Sequence, residues 1–191
     1  MFEYLMPMLH MKSYGNTLLD RGLRGAIAIQ QTYARERDIP WGISEAAYAV
    51  RDNLMQYQYR AFGIPSLNAS ADRTGDVVVA PYASMLALML APSQATANLK
   101  LLANKGCSAR YGFFESLDYS SRDGKRSPEL VHCFMAHHQG MGLLAIDNAL
   151  FENRLQERFH LDPLVQATEF LLQERMPELV EVDELEQVAA A

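Results

Sequence analysis

The sequence predicts an all-α fold in which helical hairpins carry long, aromatic-rich loops on one rim. Two observations lead to this prediction. Five segments place apolar residues at helical spacing, and one short motif occurs twice, each time after a predicted helix. In a ring of helical hairpins, successive units place equivalent loops on the same rim. We therefore expect the two copies of the motif to converge over a central cleft.

Five helices are predicted in chain order, and they cover about residues 16–37, 80–90, 92–106, 137–155 and 162–172. In the first helix, Leu19, Leu23 and Ile27 recur at i, i+4 and i+8. The second is apolar nearly all round, which indicates a central helix that is packed on more than one side.

Capping residues set the ends of these helices. Pro40 stops the first helix. The third begins at Pro92, and Gly106 suits the left-handed position that often follows a helix. In the last helix, Asp162 is a suitable N-cap and Pro163 occupies the first turn.

Two stretches depart from the helical pattern. Residues 41–68 are rich in aromatics and broken by glycine and proline, which predicts a long ordered loop of the kind that often carries function. Residues 177–191 hold five acids between Glu178 and Glu186 and no basic residue, and we interpret them as an acidic tail or interdomain linker. Residues 1–176 are then expected to form one domain.

The composition narrows the class of protein. The formal net charge is −6, and the basic residues form no block that could follow a phosphate backbone, which argues against nucleic acid as a partner. Cys107 and Cys133 lack C-x-x-C spacing, so reduced thiols are favoured while a disulfide stays open. The sequence shows no secretory signal and no apolar run of the roughly 20 residues that span a bilayer. We expect a chain that does not itself enter a membrane.

The repeated motif is an aromatic residue and a glycine, followed three positions later by a glutamate. It reads Trp41-Gly-Ile-Ser-Glu45 in the first copy and Tyr111-Gly-Phe-Phe-Glu115 in the second. Cleavage of a glycosidic bond uses two carboxyl groups, one protonated and one ionised. Glu45 and Glu115 are therefore the predicted catalytic pair, and nearby rings such as that of Tyr48 could stack on sugar faces.

The residues leave an alternative open. Each glutamate could accept backbone N–H bonds and close its own loop, while the aromatic side chains fill the core. Asp118 is a weaker candidate, because a carboxylate beside aromatics is commonly a surface or capping residue.

A second group of polar residues, His137, His138 and Gln139, lies at the start of the fourth predicted helix. Adjacent histidines on a helix point in different directions and lack the i, i+4 spacing of H-E-x-x-H sites, so zinc is disfavoured. We expect one histidine in the cleft and one in a structural role. Gly140 and Gly142 do not match a nucleotide-binding fingerprint, and no cofactor is predicted. The predicted substrate-binding residues are Trp41, Tyr48, Arg60, Tyr111, Asp118, His137, His138 and Gln139.

Six motifs together resemble the glycoamylase-like domain of cyclic β-1,2-glucan synthases, in the same order and over about residues 1–176. They are Phe-Glu-Tyr-Leu-Met-Pro at 2–7, Pro-Trp-Gly-Ile-Ser-Glu at 40–45, Tyr-Gln-Tyr-Arg-Ala-Phe-Gly at 57–63, Val-Ala-Pro-Tyr-Ala at 79–83, Tyr-Gly-Phe-Phe-Glu at 111–115 and Met-Ala-His-His-Gln-Gly-Met at 135–141.

This resemblance implies an (α/α)6 toroid that acts on β-1,2-glucan by transglycosylation and closes the linear chain into a ring. In family members, earlier hairpins of the toroid precede the first motif and a phosphorylase-like region follows the domain. The chain is therefore expected to be the C-terminal part of the domain, a fragment whose partners include those missing helices and that downstream region. The parent protein would be attached to the bacterial inner membrane, with this part in the cytoplasm.

Two other functions are compatible with the same residues. One is hydrolysis by an endo-β-1,2-glucanase, which would release linear oligosaccharides instead of rings. The other is a non-catalytic role, in which the chain binds glucan or is a structural remnant that lacks a complete cleft.

Overall fold

The computed structural model describes residues 1–67, 75–120, 127–175 and 177. Over these residues the chain is 49% helix and 15% strand, with several small antiparallel sheets. The predicted all-α class is therefore wrong, and the protein has a mixed α and β fold. The predicted acidic tail lies outside the described residues except for residue 177.

The helices form most of the described structure. They are α1 (Phe2–Leu5), α2 (Leu18–Arg35), α3 (Pro81–Ala87), α4 (Pro92–Leu102), α5 (Ala136–Leu150), α6 (Arg154–Phe159) and α7 (Pro163–Thr168). Shorter turns extend three of them: a 3-10 turn at Met6–Leu9, a π turn at Ala103–Cys107 and a 3-10 turn at Glu169–Leu172.

Short strands fill the segments between the helices. They are β1 (Ala46–Arg51), β2 (Tyr57–Arg60), β3 (Val78–Val79), β4 (Ser108–Ala109), β5 (Gly112–Phe113), β6 (Ser116–Asp118) and β7 (Glu129–Val131). Strands β1 and β2 form a hairpin that pairs Ala47 with Tyr59, and β4 and β5 form a second hairpin. In the three-stranded sheet, β6 lies between β3 and β7, and every pair is antiparallel.

The first hairpin replaces much of the long loop predicted over residues 41–68. In β2, Tyr57 and Tyr59 alternate with Gln58 and Arg60, a period-2 pattern of aromatic residues that favours a strand. Four residues are too few for this alternation to stand out from the surrounding aromatic residues. The segment is indeed ordered, but a large part of it is a β-hairpin.

The first predicted helix is present as α2. Thr17 is its N-cap and accepts a hydrogen bond from the backbone N–H of Asp20 at 3.2 Å. Asp20 in the first turn also pairs with Arg24, with 2.9 Å between Oδ1 and Nε. The buried stripe that faces the core includes Leu23 and Ile27, as the helical spacing predicts.

The helix predicted over residues 80–90 lies at the centre of the core as α3. Five of its seven side chains are apolar, and Leu86 and Ala87 are completely buried. It packs against α1, α4 and α5. At the crossing with α5, Gly142 allows close approach, because a Cβ at that position would overlap with Sδ of Met85. The prediction of a central buried helix is confirmed.

The other predicted helix ends follow the expected chemistry in part. Gly106 has a φ of 87° just after α4, and Asp162 accepts a hydrogen bond from the N–H of Leu164 at 2.8 Å. The helix predicted over 137–155 is instead two helices, because Glu152 and Asn153 adopt left-handed backbone conformations between α5 and α6.

Cys107 and Cys133 are free thiols. Within the described ranges, no helix has the length and apolar character needed to cross a bilayer.

Candidate active site

The two copies of the aromatic-Gly-x-x-Glu motif have similar backbone geometry. Gly42 has a φ of 117° and Gly112 a φ of 110°, a region that L-residues with side chains rarely adopt. Each copy then ends in a glutamate immediately before a strand, Glu45 before β1 and Glu115 before β6. The repeat seen in the sequence is therefore also a repeat of local structure.

Side chains from the second copy hold β6 against β1. The carboxylate of Glu115 accepts a hydrogen bond from the N–H of Ala47 at 3.1 Å, and Oγ of Ser116 donates to the carbonyl of Ala47. Asp118 accepts from the N–H of Ala49 at 3.0 Å. These bonds bring the two glutamate loops next to each other, although they lie far apart in the sequence.

Glu115 is the buried member of the pair, with 2% of its surface exposed. Both of its oxygens lie close to Nδ1 of His138, at 2.9 and 3.0 Å, and the His138 side chain is 1% exposed. When the carboxylate accepts a hydrogen bond from Nδ1–H of a neutral imidazole, Nε2 carries the lone pair and can accept a second hydrogen bond. Glu115 thus fixes the orientation of His138 and directs its Nε2 toward the rest of the site.

Glu45 is half-buried and bonds to a different side chain. The hydroxyl of Tyr59, on β2, donates to Oε1 of Glu45 at 2.6 Å. Burial raises the pKa of Tyr59, and the bond to Glu45 raises it further, because both disfavour the phenolate. The phenol therefore keeps its proton, and it remains available as a donor.

The two adjacent histidines converge on the same hydroxyl. Nε2 of His137 lies 3.4 Å from the Tyr59 oxygen and Nε2 of His138 lies 3.3 Å from it, with 4.0 Å between the two ring centroids. Both residues lie in the first turn of α5, where their side chains can reach beyond the helix end. His137 is exposed and His138 is buried, and the expectation of one histidine in the cleft and one in a structural role stays a prediction. Desolvation of its ring by the surrounding side chains, followed by the interaction with His138, lowers the pKa of His137.

Tyr82 forms the floor of the cluster. Its ring stacks on that of His138, with 3.7 Å between centroids and 13° between planes. Its hydroxyl lies 2.8 Å from Oγ of Ser44 and donates to the carbonyl of Glu45 at 3.0 Å. Burial raises the pKa of Tyr82, so this phenol also stays protonated. The Tyr82 ring thus packs against one face of the His138 ring, while Glu115 bonds to its Nδ1 edge.

Three ligand atoms of the kind that bind metals meet here. One carboxylate oxygen of Glu45 and one ring nitrogen each of His137 and His138 lie within 4.8 Å of one another. The Tyr59 hydroxyl, however, is within hydrogen-bond distance of all three side chains. In this structure a phenol bridges the three side chains, and we refer to the group as the hydrogen-bonded cluster.

A small cleft lies beside Glu45. Glu3, Tyr4 and Ser44 line it together with Phe62. Glu45 is thus in contact with both the cleft and the hydrogen-bonded cluster.

The remaining predicted site residues lie at varied distances from this cluster. Trp41 is buried in the core, where its backbone bonds to the side chain of Asn98. Tyr48 packs edge-on against Phe62, and Arg60 lies over both rings and pairs with Asp76. Each of these three side chains therefore has partners within the chain.

Three further predicted residues also have local partners. Asp118 is 2% exposed, and besides Ala49 it accepts from the N–H of Ser120 at 2.8 Å. Gln139 donates to the carbonyl of Phe113 at 3.1 Å, which ties α5 to the second glutamate loop. Tyr111 is 73% exposed and edge-on to Phe134, so it is accessible to a ligand.

Sequence reasoning missed Tyr59, Tyr82 and Ser44 as site residues. Tyr59 lies within the motif at 57–63 and Tyr82 within the motif at 79–83, but no spacing pattern linked either one to the glutamates. The hairpin that brings Tyr59 back to Glu45 was predicted as a loop, and so the contact could not be inferred.

Two carboxyl groups joined through one hydrogen-bonded cluster, with aromatic rings around it, are compatible with a carbohydrate-active domain. Residues 1–163 match the model of the Glycoamylase family ("Putative glucoamylase"). The chain belongs to this family.

Individual relatives were found by sequence and by structure. The cyclic beta-(1,2)-glucan synthase NdvB of Rhizobium meliloti (strain 1021) is 40% identical over 182 residues, which cover 93% of this chain and 6% of NdvB. A beta-1,2-glucanase from Parabacteroides distasonis has a similar fold, with a TM-score of 0.62 and 18% identity over 90% of this chain and 24% of that chain. An endo-beta-1,2-glucanase from Chitinophaga pinensis, solved with sophorotriose and glucose, gives a TM-score of 0.49 at 18% identity over 78% and 33% of the two chains.

Proposed function

We propose that this chain processes β-1,2-glucan by transglycosylation, as part of a cyclic glucan synthase. The observation that carries the proposal is the cluster that joins the two motif glutamates through Tyr59 and His138. The similarity to NdvB supplies the substrate, although the chain spans only 6% of the length of that protein.

Within this proposal the two glutamates have different roles. Glu45 is half-buried and is the more accessible of the two carboxyl groups, so we assign to it the exchange of a proton with the glycosidic oxygen. Glu115 is 2% exposed and is covered by its bonds to Ala47 and His138. It supplies the second negative charge, acting through the imidazole of His138.

The exposed parts of the site would hold the sugar chain. His137 offers a ring nitrogen at the surface of the cluster, and Tyr111 offers an exposed aromatic face. Trp41, Tyr48, Arg60, Asp118 and Gln139 support the loops from within, and in the proposed mechanism they shape the site without touching the sugar.

The test uses isosteric variants and β-1,2-glucan as the substrate. Glu45→Gln should lower the rate by about 10²- to 10⁴-fold, the usual contribution of a general acid or base. Glu129→Gln, on the exposed side of β7, is the matched control and should keep the full rate. Near-normal rates in both Glu45→Gln and Glu115→Gln would favour a non-catalytic role.

Product analysis separates transfer from hydrolysis. Cyclic products support the proposed transglycosylation, whereas linear oligosaccharides alone would indicate an endo-β-1,2-glucanase. Both reactions can use the same pair of carboxyl groups.

In the proposed setting, the chain works inside a larger synthase at the bacterial inner membrane. Its partners there are other parts of the same domain and a phosphorylase-like region. Fractionation of cells that express the whole parent protein would test this, and activity confined to the soluble fraction would contradict it.

A further inference from the structure

The hydroxyl of Tyr59 lies at the point where the two halves of the site meet. It donates to Oε1 of Glu45 at 2.6 Å, and it lies 3.3 and 3.4 Å from Nε2 of His138 and of His137. The other ring nitrogen of His138, Nδ1, lies within hydrogen-bond distance of the Glu115 carboxylate. Among the described residues, this is the path by which one motif glutamate is linked to the other through hydrogen bonds.

The donors and acceptors on this path can be counted. A phenol has a single proton to donate, and two acceptors compete for it: the carboxylate of Glu45 and Nε2 of His138, whose Nδ1 faces Glu115. Nε2 of His137 lies within reach of the same oxygen. In the structure the Tyr59 hydroxyl donates this proton to Oε1 of Glu45, at the shortest of the three distances. A protonated Glu45 can instead donate to the phenol oxygen, which releases the Tyr59 proton toward Nε2 of a histidine.

We propose that Tyr59 is a positioning residue that couples the protonation of Glu45 to the hydrogen bonding of His138 and, through it, to Glu115. The O–H of Tyr59 turns from Glu45 toward His138 when Glu45 is protonated. Tyr59 keeps its own proton throughout, so it neither gains nor loses a proton. This inference rests on the proposed function for its role in the reaction, but the coupling itself is a property of the folded chain.

The coupling explains why a half-exposed tyrosine is placed at this position. Tyr59 is 39% exposed, so burial of an apolar ring does not by itself account for its location. When Glu45 passes its proton to a leaving oxygen, the carboxylate that forms would be met at once by the Tyr59 hydroxyl. A preplaced donor of this kind stabilises the charge without rearrangement of water.

Nuclear magnetic resonance of the full chain labelled with ¹⁵N-histidine tests the coupling without any need for activity. Tyr59→Phe removes one oxygen, and we expect the ring nitrogen signals of His137 and His138 to shift while that of His160 stays fixed. Tyr57→Phe is the matched control, since its hydroxyl lies on the same strand but contacts Arg51 instead. Unchanged His137 and His138 signals in Tyr59→Phe would overturn the proposal.

A second measurement uses the unmodified chain, so the test does not depend on how a variant folds. The Tyr59 hydroxyl proton should give a resonance that exchanges slowly with water and shows nuclear Overhauser contacts to both histidine rings. A hydroxyl proton that exchanges freely, without these contacts, would contradict the bridge.

Kinetics with β-1,2-glucan then test the role in the reaction. Tyr59→Phe should lower kcat by about 10- to 100-fold, as expected for the loss of one hydrogen bond to a charged group, with KM nearly unchanged. Combined with His138→Gln, the loss should be smaller than the product of the two single effects. Histidine shifts in a chain that does not act on glucan would refute the proposed function and leave the bridge intact. Independent kinetic effects of the two substitutions would refute the coupling.

Discussion

At the scale of single residues, the two motif glutamates differ chiefly in their surroundings. Glu115 is 2% exposed and bonded to Ala47 and His138, whereas Glu45 is half-buried and open to a cleft. A buried carboxylate that loses its partners leaves their N–H groups without acceptors. Substitution of Glu115 is therefore expected to affect folding as well as chemistry.

We predict that Glu115→Gln lowers the free energy of unfolding by about 1–3 kcal/mol, the usual cost of leaving a buried hydrogen-bonding group without its partner. The amide has one oxygen for two donors, and its NH₂ group would face one of them. Glu45→Gln is the comparison, and it should cost much less because its side chain reaches solvent. Urea unfolding of the two variants would show the difference, and equal losses would contradict it.

At the scale of secondary structure, close packing of α3 and α5 depends on one of two nearby glycines. A Cβ at Gly142 would overlap with Sδ of Met85, while a Cβ at Gly140 would have nothing within 4 Å. Both glycines are in the same helix, so they have the same helical backbone but different surroundings.

Gly142→Ala should therefore unfold more easily than Gly140→Ala, by about 1–3 kcal/mol, the usual cost of overpacking a core. Gly140→Ala is expected to be neutral or slightly stabilising, because alanine favours a helix more than glycine does. Thermal unfolding of the two variants gives the comparison. A similar midpoint for both would mean that Met85 can move aside without cost.

The helices could be predicted because their apolar residues repeat over several turns, as Leu23 and Ile27 do in α2. The strands could not, since each has two to six residues and pairs with partners outside its own segment. Glu45 and Glu115 were found through the repeat, which is a property of the sequence. Tyr59 was not, because its contacts with the histidines connect residues 78 and 79 positions apart.

At the scale of the whole molecule, side-chain amides from α5 and α6 tie the N-terminal turn to the C-terminal helices. Asn148 donates to the carbonyl of Leu9 at 3.0 Å, and Gln156 donates to the carbonyl of Met8 at 2.5 Å. Both amides are buried, with 1% and 4% of their surface exposed. They satisfy the carbonyl groups of two buried residues.

We expect Asn148→Ala to lower the free energy of unfolding by about 1–3 kcal/mol, because it leaves a buried carbonyl without a donor. Leu143→Ala, on the same helix and 68% exposed, is the control and should change stability much less. Chemical unfolding followed by circular dichroism would measure both. If Leu143→Ala lowers the free energy of unfolding as much as Asn148→Ala does, the hydrogen bond from Asn148 to Leu9 is not the cause of the loss.

His160 makes a similar connection that depends on pH. Its Nε2 accepts from the N–H of Lys12 at 3.0 Å, which requires the neutral ring, and the residue is 4% exposed. Burial, and then the charge of Lys12, lower its pKa below the ordinary value of 6.5. A lowered pKa means that the fold favours the neutral form. This stabilisation is present above the ordinary pKa and is lost as the pH falls through the pKa of the folded state.

The free energy of unfolding should therefore decline as the pH is lowered below about 6.5, and His160→Gln should make that decline shallower. His132→Gln, at an exposed position, is the control and should keep the slope of the native chain. Urea titrations at a series of pH values provide the measurement. An identical slope in His160→Gln would exclude this residue as the source.

The side-chain bonds between β6 and β1 have a consequence for how the protein behaves at high concentration. Strand β1 pairs with β2 along one edge, and the backbone groups of Ala47 and Ala49 on its other edge are occupied by Glu115, Ser116 and Asp118. Unpaired strand edges are where separate chains associate into aggregates. Substitutions that remove these side chains would leave the backbone groups of Ala47 and Ala49 unpaired at a strand edge. The second glutamate loop and β6 thus cover this edge of β1, apart from any role in chemistry.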